Sequence, residues 1–278
     1  VHGAPQHDTL VRHHTEEHAM PDDTRRPRID AAEIAGWPML RIVYRTDPQA
    51  IADLLPPGFE AGPEPHVHLN IYNVPVKGEP EYGVSTKIPA SFQGIPGYYG
   101  LGLGIDQESA IFISQEINGQ PKFPCHTVYF REGDRVVARC THAGYTFLEF
   151  EGEATRALDD PAGERAENDW WIKVSRAVGG VEKSYDFPPH VVRVASVSDT
   201  AYEEIVDGVL TLRDSPWDPY TELLPMREQL SARLVTPIHK SRDITLAGPL
   251  DPIAFWPHAD TIGGSRWPGD RGGPRARR

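Results

Sequence analysis

Cysteine is scarce in this chain: Cys125 and Cys140 are the two among 278 residues. That excludes a disulfide framework, and the pair reads as buried thiols of a protein in a reducing cytoplasm. No apolar run approaches the roughly 18 residues of a membrane span. The polar, His-rich start carries no apolar stretch of the kind that marks a secretory signal, so none is expected. Cations are in deficit, 28 Lys and Arg against 40 Asp and Glu for a net charge of -12, which argues against nucleic acid as a partner. The exception is residues 261–278, with five arginines to one aspartate. Residues 259–278 therefore read as a flexible Arg-rich tail. Residues 1–34 read as a disordered arm, with His2, His7, His13, His14 and His18 among acids and prolines.

Several catalytic signatures are missing as well. There is no G-x-S-x-G elbow and no H-E-x-x-H, which removes the best signals for serine hydrolases and zincins. Gly100, Gly102 and Gly104 lack the third glycine of G-x-G-x-x-G, and no Walker pattern exists. These glycines are expected to let strands approach or bend. His66 and His68 could share a strand face, but His126, His142 and His190 form no recognisable ligand spacing with them. No metal and no cofactor are expected.

What is present is a supply of short apolar segments that suits one domain over residues 35–258. Residues 40–46 form a strand candidate, and Asp47 with Pro48 predicts a short helix to Leu55. Residues 66–74 alternate, with Val67, Leu69 and Ile71 on one face and His68, Asn70 and Tyr72 on the other. Such a strand suits a barrel or cone with an apolar outer layer and a polar inner face. Residues 110–117 are read as a strand. Residues 126–131 and 135–141 flank Glu132-Gly133-Asp134, a good hairpin turn. Strands are expected at 145–155, 191–197 and 203–212, and helices at 164–177 and 220–234. The fold class is α+β, a mainly antiparallel β cone or barrel enclosing a pocket, with a few peripheral helices.

One lysine stands out. Lys122 lies between Pro121 and Phe123-Pro124 in a stretch without other cations. A lysine attacks a carbonyl only when unprotonated, and its ordinary pKa of about 10.4 leaves it charged at neutral pH. Burial beside apolar groups penalises the ammonium and frees the lone pair. The same four residues also make an ordinary turn, so composition leaves both readings open.

The order of segments adds to this. Residues 42–47 (IVYRTD), then 88–94 (IPASFQG), then 116–122 (EINGQPK) resemble the acetoacetate decarboxylase superfamily. Its members show I-V-Y-R-T-D, I-P-x-S-F-x-G and R-E-x-x-x-Y-P-K-K in the same order. Trp170-Trp171-Ile172-Lys173 is similar to the family's N-Y-x-L-K segment, and the resemblance runs from about Trp37 to Trp256. It implies a β-rich cone around a buried pocket, with Lys122 as the imine-forming lysine. That lysine is activated by a neighbouring cation in the decarboxylase itself, a known example of the principle.

The departures are as specific as the match. Phe123 replaces the second lysine of P-K-K, and Gln120 replaces the tyrosine before it. Trp37 aligns with a family arginine and Asn70 with a pocket glutamate. The remaining glutamate falls near Tyr82-Gly83, where Glu81 matches it only across a gap. The resemblance thus points to members that lack the decarboxylase set and condense pyruvate with an aldehyde, then dehydrate the adduct. On that reading Lys122 is the nucleophile, Glu116 the proton carrier, and Gln120 and Asn118 hold the carboxylate or incoming carbonyl. Trp37, Asn70 and Tyr82 line the pocket. The partners expected are an oxo acid and an aldehyde, and relatives imply a homotetramer. The alternatives are a 3-oxo acid decarboxylase and a non-catalytic small-molecule-binding protein on the same scaffold. An idle buried lysine counts against the latter.

Overall fold

The computed structural model describes residues 38–76, 79–261 and 267–268. Trp37, residues 1–34 and most of the Arg-rich tail lie outside them. Strands dominate: β1 Met39–Arg45, β2 Phe59–Ala61, β3 His66–Val76, β4 Glu79–Phe92, β5 Ile95–Ile105 and β6 Lys122–Pro124 come first. They are followed by β7 His126–Glu132, β8 Arg135–His142, β9 Tyr145–Ala157, β10 Arg165–Arg176, β11 Tyr185–Leu212 and β12 Glu228–Pro249. The helices are short: α1 Pro48–Leu54, α2 Glu108–Asn118, α3 Tyr220–Leu223 and α4 Pro252–Phe255.

All twelve strands belong to one sheet, ordered β10-β5-β4-β3-β1-β12-β11-β9-β8-β7, with β2 on β4 and β6 on β5. Because β10 also pairs with β11, the first seven strands of that order close into a ring. Pairing is antiparallel except for β10 on β5 and β5 on β6. The fold is α+β and mainly antiparallel, as the alternating segments predict.

Strand parity separates the two faces of the ring. Leu40, Ile42 and Tyr44 of β1 and Val67, Leu69 and Ile71 of β3 are fully buried in the largest apolar cluster. The same cluster takes in residues of β7, β8 and β9, so these strands fold back over that face. The opposite face carries Arg41, Asn70, Tyr72, Glu81, Ser85 and Lys87. Arg41 of β1 feels the charge of Glu167 on β10, three strands away by the shorter way round. On the same face Lys87 of β4 pairs with Glu167 and Asp169 of β10, across β5, as expected where the polar face turns inward.

Four expectations are corrected. Residues 110–117 form helix α2, not a strand. Its buried and half-buried stripe is Ala110, Ile111, Ser114, Gln115 and Asn118, a helical spacing masked by polar members. Its β-branched and aromatic residues Phe112, Ile113 and Ile117 instead face outward. Residues 165–176 are strand β10, because Trp170 and Trp171 pack on opposite faces, in different apolar clusters. Of residues 220–234 only 220–223 are helical, and the rest leads into β12, which β1 and β11 pair from both sides. The expected strands at 191–197 and 203–212 are one strand, β11.

The β7–β8 hairpin forms as read, with Glu132 opposite Arg135 and Gly133 at φ 61°. Both cysteines are buried and unbridged. Trp267, placed by the sequence in the flexible tail, is buried in the core, where its Nε1 donates to the Trp217 carbonyl at 2.9 Å. No helix among the described residues is long and apolar enough to cross a membrane.

Candidate active site

The chain reaches Lys122 through a tightly specified turn. Helix α2 ends at Gly119, which adopts φ 63°. The Gly119 N–H donates to the Gln115 carbonyl, the 5→1 bond of a left-handed helix end, and the Gln120 N–H donates to the Ser114 carbonyl. A Cβ on Gly119 would lie 2.3 Å from the Ile172 carbonyl oxygen of β10, so glycine is required twice over. Lys173, also on β10, donates from Nζ to the carbonyls of Glu116 and Ile117 at 2.8 and 3.2 Å, closing the last turn.

Beyond the turn, Leu103 N–H donates to the Pro121 carbonyl and Cys125 N–H to the Ile105 carbonyl. Lys122 is thereby held in register with Leu103 of β5. The Gln115 side chain donates to the Lys122 carbonyl. Strand alternation then sends neighbouring side chains to opposite faces. Phe123 enters the main core, with its ring 4.9 Å from that of His142. Gly104 makes room for it, since a Cβ there would lie 2.7 Å from the Phe123 ring. His142 in turn bonds through Nδ1 to Asp218 at 2.8 Å.

Lys122 takes the inward face. Its Nζ donates to Glu81 Oε2 at 3.3 Å, and Tyr72 Oη donates to Glu81 Oε1 at 3.2 Å. The side chains of Lys122 and Glu81 are 8% and 4% exposed, so the pair is all but removed from water. Gly83 allows the Tyr72 ring to cross β4, because a Cβ there would meet the phenol at 2.6 Å. Burial first, and then Glu81, hold the Tyr72 hydroxyl well above its usual pKa, which keeps it a neutral donor. Tyr72, Ile105, Ala110 and Ile111, flanked by Met39, Val74 and Leu103, form the apolar surround. A buried amine, a carboxylate touching it and a phenol fixing that carboxylate can carry nucleophilic addition and proton transfer.

The structure brings some of the sequence candidates here and not others. Glu116 is exposed on α2 and contributes its backbone carbonyl to Lys173, with no contact to Lys122. Asn118 and Gln120 are half-buried on the turn leading to Lys122. Asn70 lies on the inward face and donates to Ser85 Oγ at 3.0 Å. Tyr82 has the opposite parity to Glu81 and packs against the main core, away from Lys122. Its backbone N–H is held by Asp106. Sequence alone does not single out Tyr72 as a site residue and reaches Glu81 only across a gap. The signal for both was parity: Tyr72 shares the face of Asn70, and Glu81 that of Gly83 and Ser85.

Further along the same face, Lys87 Nζ donates to Glu167 Oε1 at 3.0 Å and Asp169 Oδ2 at 2.8 Å. Burial opposes the Lys87 ammonium, but the two carboxylates outweigh it and raise its pKa. The His68 ring stands 4.9 Å from that of Tyr98, and burial lowers its pKa to about 4. Among the described residues no group of three or more His, Cys, Asp or Glu gathers as metal ligands.

The comparisons with known proteins agree in kind. The family model "Acetoacetate decarboxylase (ADC)" matches residues 13–248. The acetoacetate decarboxylase of Clostridium botulinum (strain Eklund 17B / Type B) is 25% identical over 224 residues, 75% of this chain and 83% of that protein. A solved acetoacetate decarboxylase superposes with a TM-score of 0.67 at 21% identity, over 76% of this chain and 87% of that one. The enduracididine biosynthesis enzyme MppR, complexed with the condensation product of pyruvate and imidazole 4-carboxaldehyde, superposes with a TM-score of 0.61 at 18% identity. That match covers 76% of this chain and 87% of the other.

Proposed function

The chain belongs to the acetoacetate decarboxylase family, and from that premise we propose that it is a lysine Schiff-base lyase. Its reaction condenses pyruvate or a similar 2-oxo acid with an aldehyde and then removes water. The observation that carries this reading is the contact between the buried Lys122 amine and the Glu81 carboxylate. Lys122 Nζ adds to the ketone carbon, and water leaves as the imine forms. Glu81 takes a proton from the adjoining methyl group, and the electron pair moves into the enamine. The enamine carbon attacks the aldehyde carbon, whose oxygen becomes a hydroxyl by taking the proton that Glu81 holds. A second proton then passes from the same carbon to Glu81, which delivers it to the hydroxyl so that water departs. Hydrolysis of the imine releases an unsaturated 2-oxo acid and restores Lys122.

Two further observations support condensation. Phe123 stands where the decarboxylase motif has its second lysine, and its ring is turned into the core. A carboxylate beside the imine is suited to accepting a C–H proton, and the MppR complex holds a condensation product of pyruvate with an aldehyde. A second reading, decarboxylation of a 3-oxo acid, is favoured by Glu81 itself, which lies near the family glutamate's place in sequence. There the enamine would arise by loss of carbon dioxide, and Glu81 would return the proton to carbon.

Borohydride reduction in the presence of pyruvate or acetoacetate tests the shared step. An adduct mapped by mass spectrometry to Lys122, absent from Lys122→Ala, is the expected result. No adduct with either compound would overturn the Schiff-base reading and leave ligand binding on the same scaffold. Conjugated-enone absorbance with pyruvate plus an aldehyde panel would favour condensation, whereas carbon dioxide release from acetoacetate would favour decarboxylation.

A further inference from the structure

The two oxygens of the Glu81 carboxylate are held by different donors. Lys122 Nζ bonds Oε2 at 3.3 Å, and Tyr72 Oη bonds Oε1 at 3.2 Å. Among the described residues these are the hydrogen bonds to that side chain, which is 4% exposed. The proposed chemistry changes one donor and spares the other. An ammonium offers three N–H groups, whereas the iminium formed from it keeps one, fixed in the plane of the C=N group. Tyr72 takes no part in imine formation and keeps its O–H. A carboxylate so far from water is strongly unfavourable without a donor. The phenol is therefore the bond that secures Glu81 while the imine exists.

The fold provides for this bond. Tyr72 lies opposite Gly83 in the β3–β4 pairing, and Glu81 is two residues from Gly83 on the same face of β4. The phenol reaches it by crossing Gly83, where a Cβ would stand 2.6 Å from both Cζ and Oη. The ring is 8% exposed and packs with Ile105, Ala110 and Ile111, which fixes its direction. Burial keeps the hydroxyl protonated, so Oε1 already accepts a proton's bond from it. A proton drawn from substrate carbon then goes to Oε2, the oxygen that faces Lys122. We propose that Tyr72 is the positioning residue for the base, holding Oε1 so that Oε2 meets the methyl group of the imine formed on Lys122. In that step the C–H bond breaks and its electron pair forms the C=C bond. The C=N pair moves to nitrogen, and the proton binds Oε2. This rests on Lys122 forming the imine and Glu81 taking the proton.

Exchange of the pyruvate methyl protons in D2O, followed by proton NMR, reads this step without an aldehyde. Tyr72→Phe keeps the ring over Gly83 and should slow exchange by about 10- to 100-fold, the range for a hydrogen bond to a charged group. The pyruvate concentration for half-maximal borohydride trapping on Lys122 should shift by less than about threefold. In a Glu81→Gln background the same replacement should alter the residual exchange by less than about threefold, because no base is left to orient. Equal losses in both backgrounds would mean that the phenol serves packing alone, and would overturn the proposal. So would a native exchange rate in Tyr72→Phe. Should that variant fail to fold by circular dichroism, Tyr72→Met serves in its place. If the native protein traps pyruvate but exchanges no methyl proton, the assignment of Tyr72 falls while the imine stands. If nothing is trapped, the Schiff-base reading itself fails and this assignment goes with it.

Discussion

A single change of parity separates the groups that touch Lys122 from those that do not. Glu81 and Tyr82 are neighbours in sequence, yet the first meets the amine at 3.3 Å and the second packs into the core. Phe123 shows the same rule, one residue from Lys122 and on the opposite face. Glu116 would face the pocket as a proton carrier only if residues 110–117 were a strand, and α2 is helical there. The proposed mechanism gives that role to Glu81, and Glu81→Gln is the sharper test. Replacing the carboxylate by an amide keeps a partner for the amine but removes the base. Turnover should fall by about 10²- to 10⁴-fold, while borohydride still traps the imine on Lys122. Unchanged turnover would place the base elsewhere.

At the level of elements, Lys122 depends on how α2 stops. The helix ends at Gly119, swings through Gln120 and Pro121, and hands the chain to β6 in register with β5. Lys173 of β10 caps the same helix end, which ties the turn to the ring wall. Gly119→Ala would impose a side chain on a left-handed residue and drive a Cβ into the backbone of Ile172 and Lys173. The left-handed conformation alone costs about 1–2 kcal/mol, so a total loss of roughly 3 kcal/mol is expected once the clash is added. Urea denaturation measures it, and a midpoint unchanged from the native protein would show that the turn adapts. The sequence carried the glycine but not the helix, because Ile111, Phe112 and Ile113 mimic a strand core.

The whole ring is held in part by charges that bridge its strands. Lys87 reaches from β4 past β5 to Glu167 and Asp169 on β10. Burial leaves Asp169 above the usual carboxylate range even beside this lysine. Lys87→Met would strand two acids on the inward face, at a cost of roughly 3 kcal/mol given the lysine's partial exposure. For a chain of this size that corresponds to a melting temperature about 6–12 °C lower. Adding Asp169→Asn should recover part of the loss, and calorimetry of the two variants checks it. A double variant no more stable than the single one would mean the triad is not the source.

Sequence by itself determined the family and the strand-rich class, and it singled out Lys122 as the candidate nucleophile, because ordered motifs and alternation are local properties of the chain. It also gave the two faces of β3, since parity needs nothing beyond a strand. The company Lys122 keeps was decided only by the tertiary structure. Glu81 and Tyr72 come from separate strands, and which of their faces turns inward depends on β10 pairing with both β5 and β11. Closure of that ring is a contact between residues distant in sequence, and no local pattern of apolar and polar residues encodes it.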